Sequence, residues 1–220
     1  HAKSHIKNKY KQRSNLLVSR LGVPNNKFKF KLNNNDELRI ITCSYVSSVK
    51  RLELIPSSLS LIKNFKVNWY HIGPKSGSEF FKIEKIAKNK LQSNKNVHFE
   101  FLGFMELTQI KNFYSSKNID LFLNVSSFEG ISVAIMEAMS FFIPVIATNV
   151  GATSEIVNNS NGFLISNNPT FEEIFLTIKK YNYLSKEKKF KMCKSAHNTW
   201  SKDFNAKTNY SNFSEIITSL

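Results

Sequence analysis

The sequence predicts an α/β fold, a Rossmann-like, doubly wound parallel sheet. Three observations predict it. From residue 38 onward, short apolar runs alternate with segments whose apolar residues recur at helical spacing. The joints between them hold Gly, Pro, Ser and charge. The helical segments run to about a dozen residues, long enough to carry the chain back for parallel strand pairing. Taken in order, Leu38–Val46 reads as a buried strand. Arg51–Ile62 reads as a helix, with Leu52, Ile55, Leu59 and Ile62 on one face. Val67–Ile72 is the next strand, stopped by Gly73-Pro74. A helix over Phe80–Leu91 leads to a strand over Val97–Leu102, and a helix over Leu107–Tyr114 to a strand over Ile119–Leu123. A helix over Ser132–Phe141 then precedes a strand over Pro144–Ala147, and Gly162–Ile165 is a last short strand. Residues 170–220 read as helical, with Ile174/Ile178 and Phe213/Ile216/Ile217 as apolar stripes.

With 220 residues, 41% of them hydrophobic and 21% charged, the chain suits one domain with attached terminal segments. The expected division is 1–22 as the end of a preceding domain or a linker, 23–190 as the Rossmann-like domain, and 191–220 as a C-terminal helical segment. No run approaches the ~18 apolar residues of a membrane span, and no charged start is followed by an apolar segment. The opening His1-Ala2, without Met, suggests an internal start or a tag remnant. Cys43 and Cys193 lie far apart, Cys43 in an apolar run as a buried strand thiol. No Cys/His spacing suits zinc, and a reduced, cytoplasmic chain is expected. Net charge is +15, and the first 31 residues hold nine Lys and Arg and no acid. Such an excess attracts nucleic acid, anionic lipid or phosphorylated ligands, or reflects a surface that favours Lys and Asn.

In doubly wound sheets ligands bind outside the carboxyl ends of the strands. The loops there are Ser44–Lys50, Gly73–Gly77, Gly103–Glu106, Val125–Ser132 and Thr148–Ser154. The most informative stretch runs from Ser126 through Glu129, Gly130, Ile131, Ser132 and Val133 to Glu137, Ala138 and Met139. Gly130 permits close backbone approach or an unusual dihedral, and Ser132 is placed to cap the following helix. The free N–H groups near Ile131, Ser132 and Val133, with the helix dipole, make an anion site suited to a diphosphate. Glu137, in the second turn, is placed to accept hydrogen bonds from a pair of ribose hydroxyls.

These residues resemble the retaining GT-B glycosyltransferases of family four. That family carries two glutamates eight positions apart, then Ala-Met and a Pro-led strand; here stand Glu129, Glu137, Ala138-Met139 and Pro144-Val145-Ile146-Ala147. The order continues through Gly151, Glu155-Ile156-Val157 and Asn161-Gly162-Phe163-Leu164, and Val97-His98-Phe99 with Leu102-Gly103-Phe104 matches the lead-in strand and its loop. The resemblance spans residues 20–215 and implies the C-terminal, nucleotide-sugar-binding half of a GT-B fold. It implies that Glu129 contacts the sugar, Glu137 the ribose and Lys50 the diphosphate. Gly103, Phe104 and Met105 would touch the base through backbone groups, and Gly130, Ile131, Ser132 and Val133 would hold phosphate. Implied too are a UDP-linked donor, no metal or other cofactor, and an acceptor glycan or lipid-linked sugar seated on an N-terminal domain. A bacterial surface polysaccharide is the expected product context, with possible contact at the inner face of an anionic membrane.

Two positions depart from the family. An Arg usual five residues before the Lys is Tyr45, and Arg51, beside Lys50, either compensates as a second diphosphate ligand or points away. The Gly usual before the Ile-Pro pair is Phe142, so that either the helix ends differently or Phe142 packs in its own way. Elsewhere structural roles are expected: Glu155 in its Glu-Ile-Val, and His71 and His98 on strands. Ser126 and Ser127 lack the His/Asp partners of a hydrolase triad. The absence of Gly from the first turn, Ser44–Val49, argues against a dinucleotide oxidoreductase. A noncatalytic nucleotide-binding scaffold and a basic nucleic-acid-binding module, though the latter lacks any recognised motif, stay open as the alternatives.

Overall fold

The computed structural model describes residues 6, 18–26, 28–33 and 36–219. Most of the predicted 1–22 segment lies outside these. Six parallel strands form one sheet: β1 (Glu37–Cys43), β2 (Lys66–Ile72), β3 (Val97–Gly103), β4 (Leu121–Asn124), β5 (Val145–Thr148) and β6 (Gly162–Ile165). Their spatial order is β3-β2-β1-β4-β5-β6. The helices among the described residues are α1 (Leu54–Ser60), α2 (Ser78–Leu91), α3 (Leu107–Lys117), α4 (Val133–Ser140), α5 (Phe171–Asn182), α6 (Lys186–Asp203) and α7 (Ala206–Thr218).

The period-two alternation of each strand divides the core into two layers. Leu38 and Ile40 of β1, Val67 and Trp69 of β2, and Leu121 and Leu123 of β4 point to one side, where α1, α2 and α5 bury Ile55, Leu59, Ile83, Ala87, Ile174 and Ile178. Ile41, Tyr70, Ile72, Phe122, Val145 and Ala147 point to the other, against Tyr114 of α3, Ile135 and Met139 of α4, and Ala196 and Trp200 of α6. Strands buried on both faces read as continuous apolar runs, which is why they stand out in the sequence.

Several boundaries move. The first strand stops at Cys43 rather than Val46, because the chain turns away at Ser44 to begin the ligand-side loop. The predicted Arg51–Ile62 helix is two pieces. A 3-10 turn, Ser48–Lys50, ends at Arg51 in the left-handed conformation (φ 47°), and α1 starts only at Leu54. The apolar residues Leu52, Ile55, Leu59 and Ile62 are buried as the periodicity requires, so the period was right and the helix start was not. The division at 190/191 falls inside α6, whose Met192, Cys193, Ala196 and Trp200 are buried in the same core. Val23 closes the molecule on this side: it pairs with Asn205, and its carbonyl accepts from Trp200 Nε1. Of the two C-terminal stripes, Ile174/Ile178 is buried while Phe213 and Ile217 are exposed.

Among the described residues no helix is long and apolar enough to cross a membrane.

Candidate functional site

The strand order reverses direction between β1 and β4, and the crevice opened there is where doubly wound sheets take ligands. All five loops singled out from the sequence leave the carboxyl ends of β1 to β5. The two that border the crevice carry Lys50 and Glu129. Lys50 Nζ donates to Glu129 Oε1 at 2.5 Å, and Asn124 Nδ2 (3.1 Å) and Ser126 Oγ (2.8 Å) donate to the same oxygen. Burial opposes the charge on Glu129, but these three bonds and the Lys50 cation outweigh it and hold the carboxyl below its ordinary value. Asn124 was not singled out, and Ser126 was named at the head of the motif but not as a partner of Glu129. Asn124 ends β4, and only the curl of the following loop brings it back to Glu129.

Glu137 lies in the second turn of α4. It borders a small pocket with Val23, Pro24, Asn26, Leu107, Lys111, Tyr114 and Phe141. Burial pushes its carboxyl up, with Lys111 pulling it back. The Cys43 thiol is raised to about 12 by burial and then by Glu137, while Lys50 acts on it in the opposite sense. Tyr114 Oη, fully buried, has no hydrogen-bond partner among the described residues.

The N-terminus of α4 follows the Glu129 loop directly in the chain. Its first-turn N–H groups have no partner within the helix. Ser132 occupies the cap position in extended conformation, but its side chain makes no cap bond, which corrects the capping expectation. Gly130 is exposed, with open space where a Cβ would be and no positive φ, so neither reason proposed for a glycine there operates within the protein. The glycine the loop does require is Gly151. It has φ +53°, and a Cβ there would run into the carbonyl oxygen of Glu129. Ile131 is half-buried and Val133 exposed. Gly103 ends β3 at φ +88°, followed by exposed Phe104 and half-buried Met105.

Arg51 faces inward rather than into the crevice. Its Nε donates to Val125 O, Nη2 to Ser126 O and Asn167 O, and Nη1 to Asn168 Oδ1. The geometry thus gives it the second of the two readings above. Tyr45, which stands where the resembled family usually has Arg, is 71% exposed. His71 is buried, paired through Nδ1 with Thr42 Oγ1 and lowered to about 4 by burial. His98 is exposed on β3, and Glu155 pairs with Arg20 at 3.5 Å.

Residues 24–198 match the family described as glycosyl transferases group 1. Among curated proteins, the chain is 29% identical over 153 residues to a probable sucrose-phosphate synthase of Thermosipho melanesiensis, covering 69% of this chain and 36% of that one. It is 28% identical over 136 residues to the O-antigen biosynthesis glycosyltransferase WbnH of Escherichia coli, covering 61% and 36%. The chain thus spans about a third of the length of either relative. Among solved structures, a glycosyltransferase from Rickettsia africae superposes with a TM-score of 0.82 at 21% identity, over 98% of this chain and 60% of that one. Anabaena HepE in complex with UDP and glucose does so with a TM-score of 0.71 at 22% identity, over 84% and 49%. At these identities the structures speak for the fold, and the family match speaks for membership: the chain belongs to the group 1 glycosyl transferases.

Proposed function

We propose that this chain is the donor-binding, C-terminal half of a retaining GT-B glycosyltransferase that moves a sugar from a nucleoside diphosphate, UDP by preference, to an acceptor held by an N-terminal domain. The observation that carries the reading is the meeting of Lys50 and Glu129 across the crevice between β1 and β4. The chemical problem in such a transfer is the charge that builds on the departing diphosphate. Lys50 Nζ and the open N–H groups at the start of α4 are cationic or partly positive donors already in place, so they stabilise that charge without reorganising. They need no bridging metal. All three bonds fixing Glu129 fall on Oε1, which leaves Oε2 to accept from sugar hydroxyls. Glu137 takes the ribose, with the Gly103–Met105 loop beside the base. The acceptor belongs to bacterial surface-polysaccharide synthesis, in keeping with the O-antigen relative, and the enzyme works at the cytoplasmic side of an anionic membrane.

Thermal melting with a panel of nucleoside diphosphates tests this. A ligand at ~100 times its dissociation constant adds about 2.7 kcal/mol, so UDP raises the melting temperature, EDTA leaves that rise unchanged, and NAD does nothing. A melting curve that no nucleoside diphosphate moves would sink the reading.

A further inference from the structure

Lys50 and Glu129 sit on loops that leave different strands, and the strands themselves do little to register those loops. β1 and β4 pair only at Ile40–Leu121 and Ile41–Phe122, short of the carboxyl ends. Something else must hold the crevice walls at hydrogen-bonding distance. Arg51 is placed to do so. It follows Lys50 directly and adopts φ 47°, a conformation that only Asn118 and Phe142 share among the described non-glycine residues. Successive side chains of a 3-10 turn point about 120° apart, yet Lys50 and Arg51 both reach the loop after β4. The left-handed step accompanies that convergence.

We propose that Arg51 is a positioning residue, whose guanidinium clamps the loop after β4 to the loop after β1 and so sets the Lys50–Glu129 geometry. Four of its five N–H donors are taken within the protein, which leaves it little to offer a ligand. Its partners are the carbonyls of Val125 and Ser126, the first residues after β4. Ser126 relays the hold. Its carbonyl is fixed by Arg51 and by Thr148 Oγ1, its N–H donates to Asn124 Oδ1, and its hydroxyl donates to Glu129. Asn124 in turn donates to Glu129, so the network closes on the carboxylate. A parallel stitch runs from Ser127 N to Val49 O at 2.8 Å. The same guanidinium also reaches Asn167 and Asn168, which draws the loop after β6 into the crevice wall.

The functional consequence rests on the donor-binding reading of the pair, whereas the clamp itself does not, and the experiment separates them. Arg51→Gly removes the guanidinium while suiting the left-handed turn. Arg51→Lys keeps a charge but loses the planar fork. The first readout is the NMR titration of the Glu129 carboxyl without ligand. In both variants it moves up towards the ordinary glutamate value, because the hydrogen bonds that hold it low lose their alignment. A titration unchanged in Arg51→Gly, or restored in Arg51→Lys, overturns the clamp, the second because charge alone would then suffice. The second readout is calorimetry with uridine, UDP and UDP-sugar. Arg51→Gly weakens UDP-sugar roughly tenfold and spares uridine, and in combination with Glu129→Ala its effect is not additive. Equal losses for all three ligands would mean general loosening and overturn the positioning role. A shifted titration in a protein whose wild type binds no nucleotide would leave the clamp standing and remove only the donor reading.

Discussion

Glu137 and Glu129 are carboxylates eight positions apart that their surroundings push in opposite directions. Glu137 is desolvated and raised; Glu129 is buried too, but three hydrogen bonds and the Lys50 charge hold it low. The proposed roles follow that contrast. Glu137→Ala is expected to weaken every ligand that carries ribose, roughly ten- to a hundredfold, since a hydrogen bond to a charged group contributes about 1.5–3 kcal/mol. Glu129→Ala should spare UDP and weaken UDP-sugar, and Lys50→Ala should weaken diphosphates far more than uridine. Calorimetry with the three ligands checks the split; uniform losses would show the assignments to be wrong. Glu137 also gives a pH dependence. Ribose hydroxyls donate to the ionised carboxylate, so uridine affinity falls on acidification through the raised pKa, at a higher pH than an ordinary glutamate would give, and Glu137→Gln lacks that dependence. The stability contribution has the other sign: the folded state binds this proton more tightly than the unfolded chain, so protonation of Glu137 favours folding as pH falls.

The end of α4 shows how an element tolerates a residue its backbone disfavours. Ile143 N donates to Ala138 O and Phe142 N to Met139 O, the paired bonds of a Schellman cap, and Phe142 takes the left-handed position at φ 63° where glycine is usual. The helix therefore ends in the ordinary way, and the ring packs. Phe142 stacks on His197 at 3.8 Å between centroids and on Phe30 at 4.8 Å, with Lys194 Nζ 5.1 Å away. These contacts offset the strain, each aromatic pair contributing about 0.5–1.5 kcal/mol beyond buried area. Phe142→Ala loses the stack and keeps the strain, and a loss of about 2–3 kcal/mol is expected. Phe142→Gly loses the stack but relieves the strain, and should be about 1 kcal/mol less damaging. Urea unfolding of both variants checks the order; equal losses would show that the left-handed turn costs nothing here.

For the molecule as a whole, a net charge of +15 acts at long range and without regard to sequence. Retention on DNA or on anionic vesicles is expected to be strong at low salt and to fall steeply as salt rises, because the screening length is already ~8 Å at physiological ionic strength. Tight binding to one DNA sequence that survives high salt would contradict this and point to a specific nucleic-acid partner. The fold is closed by short-range contacts: Val23 O accepts from Trp200 Nε1, Val23 pairs beside Asn205, and Arg20 pairs with Asp203 at 3.4 Å and with Glu155 at 3.5 Å.

The sequence by itself determined the parallel α/β architecture, because strands buried on both faces must be apolar throughout and the helices between them must carry a 3.6-residue stripe. It also determined which loops lie at the carboxyl ends of the strands, because strand direction fixes which end each loop leaves, and it singled out Lys50, Glu129 and Glu137; which two of those loops border the crevice followed from the strand order. The tertiary structure decided what those residues touch. That Arg51 turns inward and that Gly151 rather than Gly130 is the constrained glycine depend on contacts between segments far apart in the chain, whereas Asn124 and Ser126 reach Glu129 over only five and three positions, through the curl of their own loop. The Lys50–Glu129 pair alone spans 79 positions. Periodicity reports which face of an element is buried, but which partners meet across a crevice is set by how separate loops curl against one another, and no local pattern encodes that.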